Sequence, residues 1–129
     1  MQSKYAIALA MAAGFAFGAC AIHGLHAAAS PPAYVIGEIT VTDQDGYKND
    51  FLPKAQKGIA EAGGKYVAGG FNKTVTFDGA PPPNRVVLLQ FESMDKAKAW
   101  NDSESNKEMR KLGDKYATFR TFAVEGAAQ

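Results

Sequence analysis

The sequence predicts an α+β domain with helices on one face of an antiparallel sheet. Three observations carry this. Residues 30–129 run strand, helix, strand, strand, helix, strand, the split βαβ order of ferredoxin-like folds. The opening strand alternates with period two, and apolar residues at four-residue steps follow it. The stretch before residue 30 differs sharply in composition, which leaves one domain of about a hundred residues.

In order, "SPPA" (30–33) is a short stiff lead-in and "AYVIGEITVT" the first strand. It sets Tyr34, Ile36, Glu38 and Thr40 on one face and Val35, Gly37, Ile39 and Val41 on the other. Asp43 is placed to cap the helix that follows, with Tyr47, Phe51, Ala55 and Ile59 on one side. Pro53 inside that pattern implies a kink, or a restart with the proline in a first turn. Gly63-Gly64 is a stop. "KYVAGGF" is the second strand, "TVTF" a short extended piece, and "DGAPPPN" an exposed turn whose prolines cannot donate to a ladder. "RVVLLQF" is the third strand. Ser93 caps a second helix with Met94, Ala97 and Trp100 on one face. "NDSES" interrupts it, and Ser105 with Glu108 has capping-box spacing for a second start. "TFRTFAVEG" closes the domain as a strand.

"RVVLLQF" carries Val87, Leu89 and Phe91 on one face and Val86 and Leu88 on the other. A sheet with helices on one side and water on the other alternates apolar with polar. This strand does not, and no helix remains to cover its second face. A second copy of the chain is the simplest cover, so a homodimer is expected.

The first 29 residues have the three parts of a cleavable secretory signal peptide. Lys4 supplies the basic start, Tyr5 to Ile22 is an uncharged run of 18 residues, and Ala27 and Ala29 form an A-x-A exit before Ser30. The run reaches the lower edge of spanning length, so a retained membrane anchor is the competing reading. A lipidated Cys20 is a third, opposed by Phe17 and Gly18, which are poor matches to the residues that precede such a cysteine. The mature chain is placed in the periplasm or outside the cell, with membrane contact only through an uncleaved leader.

Cys20, His23 and His26 all fall in this leader, and "CAIHGLH" matches no structural zinc spacing. Residues 30–129 contain neither cysteine nor histidine. In the mature chain this excludes disulfides, thiol nucleophiles, imidazole bases and His-ligated zinc or heme. Without Lys4, thirteen basic residues balance thirteen acidic ones, and nothing in the charge points to nucleic acid. The glycines of "EAGGKYVAGG" fit no nucleotide fingerprint. No cofactor and no metal are expected.

Five stretches in this order resemble the domain-of-unknown-function 1330 family: "AYVIGEITVTD" with Tyr47, "GGKYVAGG", "RVVLLQFES", "KAKAWNDS" and "FAVEG". The resemblance spans nearly all of residues 33–126. It implies a ferredoxin-like protomer paired sheet to sheet as a dimeric α/β barrel, and it implies no reaction. Three positions depart from the family pattern. Ala68 stands where an arginine is common, Asn101 where an aromatic is usual and Asn106 where a tyrosine is usual. A cavity lined by those side chains in relatives is altered here.

Glu38 is the candidate catalytic residue, because an acid buried mid-strand acquires a raised pKa suited to proton transfer. The bland reading pairs it with Arg85 or Arg120 as a structural ion pair. Those arginines are also placed to orient a carboxylate or enolate. Trp100 reads as core filler or as a ligand wall. Tyr34, Tyr47, Tyr66 and Tyr116 are phenolic donors whose default role is packing. The expected site is thus Tyr34, Ile36, Glu38, Arg85, Trp100 and Arg120, around a small apolar or weakly acidic ligand between sheet and helices. A cofactor-independent oxygenase or isomerase using Glu38 or a tyrosine is the alternative. A structural or partner-binding module is the third reading.

Overall fold

The computed structural model describes residues 30–128. The leader with Cys20, His23 and His26 lies outside the described residues. Alternation builds the first strand, β1 (Ala33–Val41), which buries Ala33, Val35, Gly37, Ile39 and Val41 on one face. Asp43 then caps the first helix, accepting from the Gly46 N–H at 3.0 Å.

That helix, α1, covers residues 44–61 as a short α-turn (Gln44–Gly46), a π-helical turn (Tyr47–Phe51) and a regular stretch (Leu52–Glu61). Its four buried side chains are Tyr47, Phe51, Ala55 and Ile59. Four-residue steps overshoot a 3.6-residue turn by about 40° each. The π turn, closed by the Leu52 N–H on the Tyr47 carbonyl, is wider and takes up part of that drift. Pro53 falls in the first turn of the regular stretch, directly after the π turn, so of the two alternatives it is a restart. Gly63, at φ +86°, and Gly64 end the helix, Gly64 donating to Ile59 and Gly63 to Ala60, a Schellman arrangement.

The remaining elements are β2 (Lys65–Phe71), β3 (Arg85–Phe91), α2 (Met94–Asp102), α3 (Glu104–Gly113) and β4 (Ala117–Glu125). The sheet order is β2-β3-β1-β4 with every neighbouring pair antiparallel. β2 carries a bulge between Tyr66 and Ala68. Gly69, at φ +102°, brings its backbone so close that a Cβ would lie 2.0 Å from the Val86 carbonyl oxygen.

One detail differs from the sequence expectation. Ser103, not Ser105, starts α3: its backbone is extended, and its hydroxyl accepts from the Asn106 N–H at 3.1 Å. The same hydroxyl donates to the Trp100 carbonyl at 2.7 Å, so one serine closes α2 and opens α3. "TVTF" joins no strand. Asn72, at φ +54°, turns the chain off the ladder after Phe71, and the prolines opposite have no N–H to pair. The Asn84 side chain closes this 73–83 excursion. It accepts from the Val41 N–H at 2.9 Å and donates to the Val41 carbonyl at 3.0 Å. In the β1–β3 register Val41 would face Pro83, which lacks an N–H, so the Asn84 amide supplies the missing rung.

The core lies between sheet and helices in two clusters. One gathers Ile39, Val41, Tyr47, Phe51, Ala55, Val87 and Ala117. The other gathers Ala33, Val35, Ile59, Leu89, Phe91 and Ala97. Phe91 is 1% exposed and meets the Trp100 ring at a centroid distance of 5.3 Å. Truncation there leaves a cavity under α2. Phe91→Ala is expected to lower the free energy of unfolding by about 3–5 kcal/mol, read from urea denaturation with an unchanged m-value.

Candidate functional site

A partly open cavity of about 90 Å³ lies between the sheet and the helices and takes its walls from both core clusters. Its floor is the helix-side face of the sheet, including Val35, Ile39, Val87 and Leu89. Tyr47, Phe51 and Ile59 of α1 roof one side. Trp100 and the Asn106, Met109 and Arg110 face of α2 and α3 close the other.

The six residues expected from sequence do not line one pocket. Trp100 walls the cavity and packs on Phe91, so it is both ligand wall and core. Tyr34, Ile36 and Glu38 lie on the opposite sheet face, because β1 turns its Ala33-to-Val41 set toward the helices. Both faces of β1 carry apolar residues, so alternation alone did not identify the covered one. Glu38 pairs across strands with Arg120, its partner in the β1–β4 register. Of the two arginines expected as its ion-pair partner, Arg120 and not Arg85 meets Glu38. Arg120 is exposed, and its guanidinium stacks 4.8 Å from the Phe122 ring centre.

Arg85 is different. It opens β3 on the helix-side face and is only 6% exposed. Its guanidinium lies 4.8 Å from the Phe71 ring centre and 5.6 Å from that of Tyr47. Its Nε–H has no hydrogen-bond partner among the described residues. Burial pushes the Tyr47 and Tyr66 phenols above the usual tyrosine range, and the adjacent Arg85 charge holds back part of that rise. At neutral pH both phenols are therefore O–H donors at the cavity wall.

Arg110 was missed as a wall residue, and Asn106 was singled out only as a departure from the family pattern. Their signal was present, since an i, i+4 pair shares a helix face, but α3 is polar enough to pass for a solvated helix. Asn106 donates to the Asn101 carbonyl at 3.2 Å, and Arg110 donates to the Asn101 side-chain oxygen at 2.6 Å. Two of the three departures from the family pattern thus meet each other, Asn106 at the cavity wall and Asn101 outside its lining. The third, Ala68, faces Leu88 across the β2–β3 ladder and lies outside it. Tyr116 also lies apart, donating at 2.6 Å to Asp50, a contact that raises the phenol and lowers the carboxyl. Among the described residues, no three acidic, histidine or cysteine side chains converge as a metal site.

A fold of this kind, with one sheet face roofed by helices and a cavity beneath them, defines a ferredoxin-like α+β protomer. The model for "Domain of unknown function (DUF1330)" matches residues 32–127, and the chain belongs to that family. No curated protein matches the chain significantly. Among solved structures it is similar to a protein of unknown function from Rhodopseudomonas palustris, with 11% identity over 84% of this chain and 93% of that one, at a TM-score of 0.59. It is similar to SnoaB, a cofactor-independent oxygenase from Streptomyces nogalater, with 11% identity over 78% and 97% of the two chains and a TM-score of 0.55. A protein from Caulobacter crescentus, provisionally named as an antibiotic biosynthesis monooxygenase, shares 16% identity over 82% and 99%, with a TM-score of 0.55. At these identities the likeness establishes the fold.

The raised phenols set a pH dependence. The folded chain holds the Tyr47 and Tyr66 protons more tightly than the unfolded chain does. Their contribution to stability is complete below the ordinary phenol pKa of about 10 and is lost as pH rises through the higher folded values. The melting temperature is expected to fall above pH about 10, and Tyr47→Phe to flatten that fall. Thermal unfolding followed by circular dichroism across the alkaline range checks both.

Proposed function

We propose that this chain is an exported homodimer that binds a small apolar or weakly acidic molecule in the cavity between its sheet and helices. The cavity itself carries the reading: aromatic and aliphatic walls with a few polar groups at one side are the usual make-up of a small-molecule site. The dimer is supported by the uncovered sheet face. Ile36 sits there between Leu88 and Phe122, and Phe122 and Val124 are 42% and 48% exposed. Export is supported by the basic start, apolar run and A-x-A exit of residues 1–29.

A cofactor-independent oxygenase or isomerase stands second, favoured by the fold shared with SnoaB. Its proton transfer falls to a tyrosine, since Glu38 is on the other sheet face and tied to Arg120. A purely structural or partner-binding module gives the cavity no use.

Native mass spectrometry of the full-length gene product, recovered after expression and export in a bacterial host, tests the proposal. The expected species is a dimer of chains starting at Ser30 with additional small-molecule mass. A monomer, or a dimer without retained mass that takes up no probe molecule, removes the corresponding part of the reading. Phe122→Asp places a charge on the uncovered face and is expected to shift the dimer to monomer in light scattering, because an unpaired buried charge is costly at such an interface.

A further inference from the structure

Residues 73–83 leave the sheet carrying the two most exposed large apolar side chains among the described residues, Val75 at 78% and Phe77 at 91%. Among the described residues, no backbone hydrogen bond involves this segment. Val75 and Phe77 alternate with Thr74 and Thr76, the pattern of a strand, yet no strand lies beside them. Asn72 and Asn84 fix both ends. The segment is an arm held out into water.

The sheet offers one matching surface. Of its two edges, β2 is blunted by its bulge and by Gly69 and Gly70, both at positive φ. β4 runs nine residues, pairs only with β1 and leaves Arg120 to Glu125 exposed. Such an edge is a template for a further strand. Antiparallel pairing of 73–78 with 120–125 sets Lys73 opposite Glu125 and Asp78 opposite Arg120, opposite charges at each end. Among the described residues, Lys73, Asp78 and Glu125 have no ion-pair partner. Within one chain the arm leaves beside β2, at the opposite edge of the sheet from β4, so it meets this edge on a second copy. A two-fold pair makes the contact twice, each arm on the other's edge.

The same register decides what faces the cavity. Thr121 and Ala123 stand on the helix side of β4, opposite Gly37 and Val35, and both remain exposed. Thr121 lines the cavity, and a second hollow of about 140 Å³ adjoins it along Trp100, Thr121 and Ala123. In the pairing, Phe77 falls beside Thr121 and Val75 beside Ala123, on that side of the sheet. We infer that the 73–83 arm of each protomer adds to the β4 edge of its partner, where Phe77 and Val75 close the open side of the partner's cavity. This rests on the homodimer reading above and assigns two residues of the second copy to the site.

Residues 30–129 contain no cysteine, so introduced thiols report the pairing directly. The full-length gene product carrying Cys20→Ala, Val75→Cys and Ala123→Cys is oxidised mildly after export from a bacterial host. It is expected to form a disulfide between chains, located by peptide mass spectrometry. Val75→Cys with Val124→Cys, one residue out of register and on the other sheet face, is expected to form none. Light scattering of the reduced protein gives the oligomeric state separately. A dimer without the 75–123 link overturns the arm contact and keeps the homodimer reading, whereas a monomer overturns both. A link within one chain, or equal linking of the two pairs, overturns the placement on the partner's edge. Trp100, the sole tryptophan, reads the closure. Phe77→Ser is expected to raise acrylamide quenching of its fluorescence, and Thr74→Ser, on the arm's other face, to leave it unchanged. Quenching unchanged in Phe77→Ser overturns the closing role of that ring.

Discussion

Everything in this fold is arranged around the helix-side face of β1. That strand is central, paired to β3 on one side and β4 on the other, and it presents Ala33, Val35, Gly37, Ile39 and Val41 to the helices. The stripe of α1 must lie along it, and the stripe runs at four-residue steps that a regular helix cannot keep on one line. The wide turn at Tyr47–Phe51 lets Tyr47 and Ile59, at opposite ends of α1, both reach the sheet. The aromatic side chains at the start of α1 then form a connected set, with Tyr47 meeting Phe51 at 5.0 Å and Phe71 at 5.8 Å. α2 and α3 fill the space that α1 leaves, and their fit is incomplete. The gap between the two core clusters is the cavity.

The same geometry separates two arginines that look alike in sequence. Arg120 stands on the uncovered face, paired with Glu38 and resting on Phe122. An exposed pair of that kind contributes little to stability. Arg85 stands on the covered face, enclosed by rings and with its Nε–H unbonded. Which face a residue takes decides whether its charge is solvated or a demand on its surroundings. The parity of β1 and β3 sets Glu38 against Arg120 on one face and Arg85 against Phe71 and Tyr47 on the other.

The element order was legible because its signals are local. Asp43, Ser93 and the Gly63-Gly64 pair act within a few residues of themselves, and each stands where the sequence placed it. The stripe of α1 and the double apolar face of β3 were equally readable. The site was not, because β1 carries apolar residues at both parities. Tyr34 and Ile36 are as plausible under helices as Val35 and Ile39, and only the docking of α1 decides between them. Ser103 and Ser105 posed the same problem on a smaller scale: capping-box spacing favoured the second, whereas the hydroxyl that reaches both the Trp100 carbonyl and the Asn106 N–H is the first. The wall formed by Asn106 and Arg110 was hidden by its polarity, since nothing local tells a cavity-facing asparagine from a solvated one.

The Asn84 amide bound to Val41 has a consequence for how the protein can vary. Residues 73–83 leave the sheet after Asn72, whose N–H donates to the Asn84 carbonyl at 2.9 Å, and return at Asn84. Both ends of the excursion are fixed by that residue, one through its backbone and one through its side chain. Its immediate neighbour is Arg85. Insertions, deletions or a changed proline run between the two asparagines therefore stop short of the ladder and leave the arginine where it is. As far as the protomer's own sheet is concerned, the outer loop is free to drift in length and composition while the buried charge beside Phe71 and Tyr47 keeps its position.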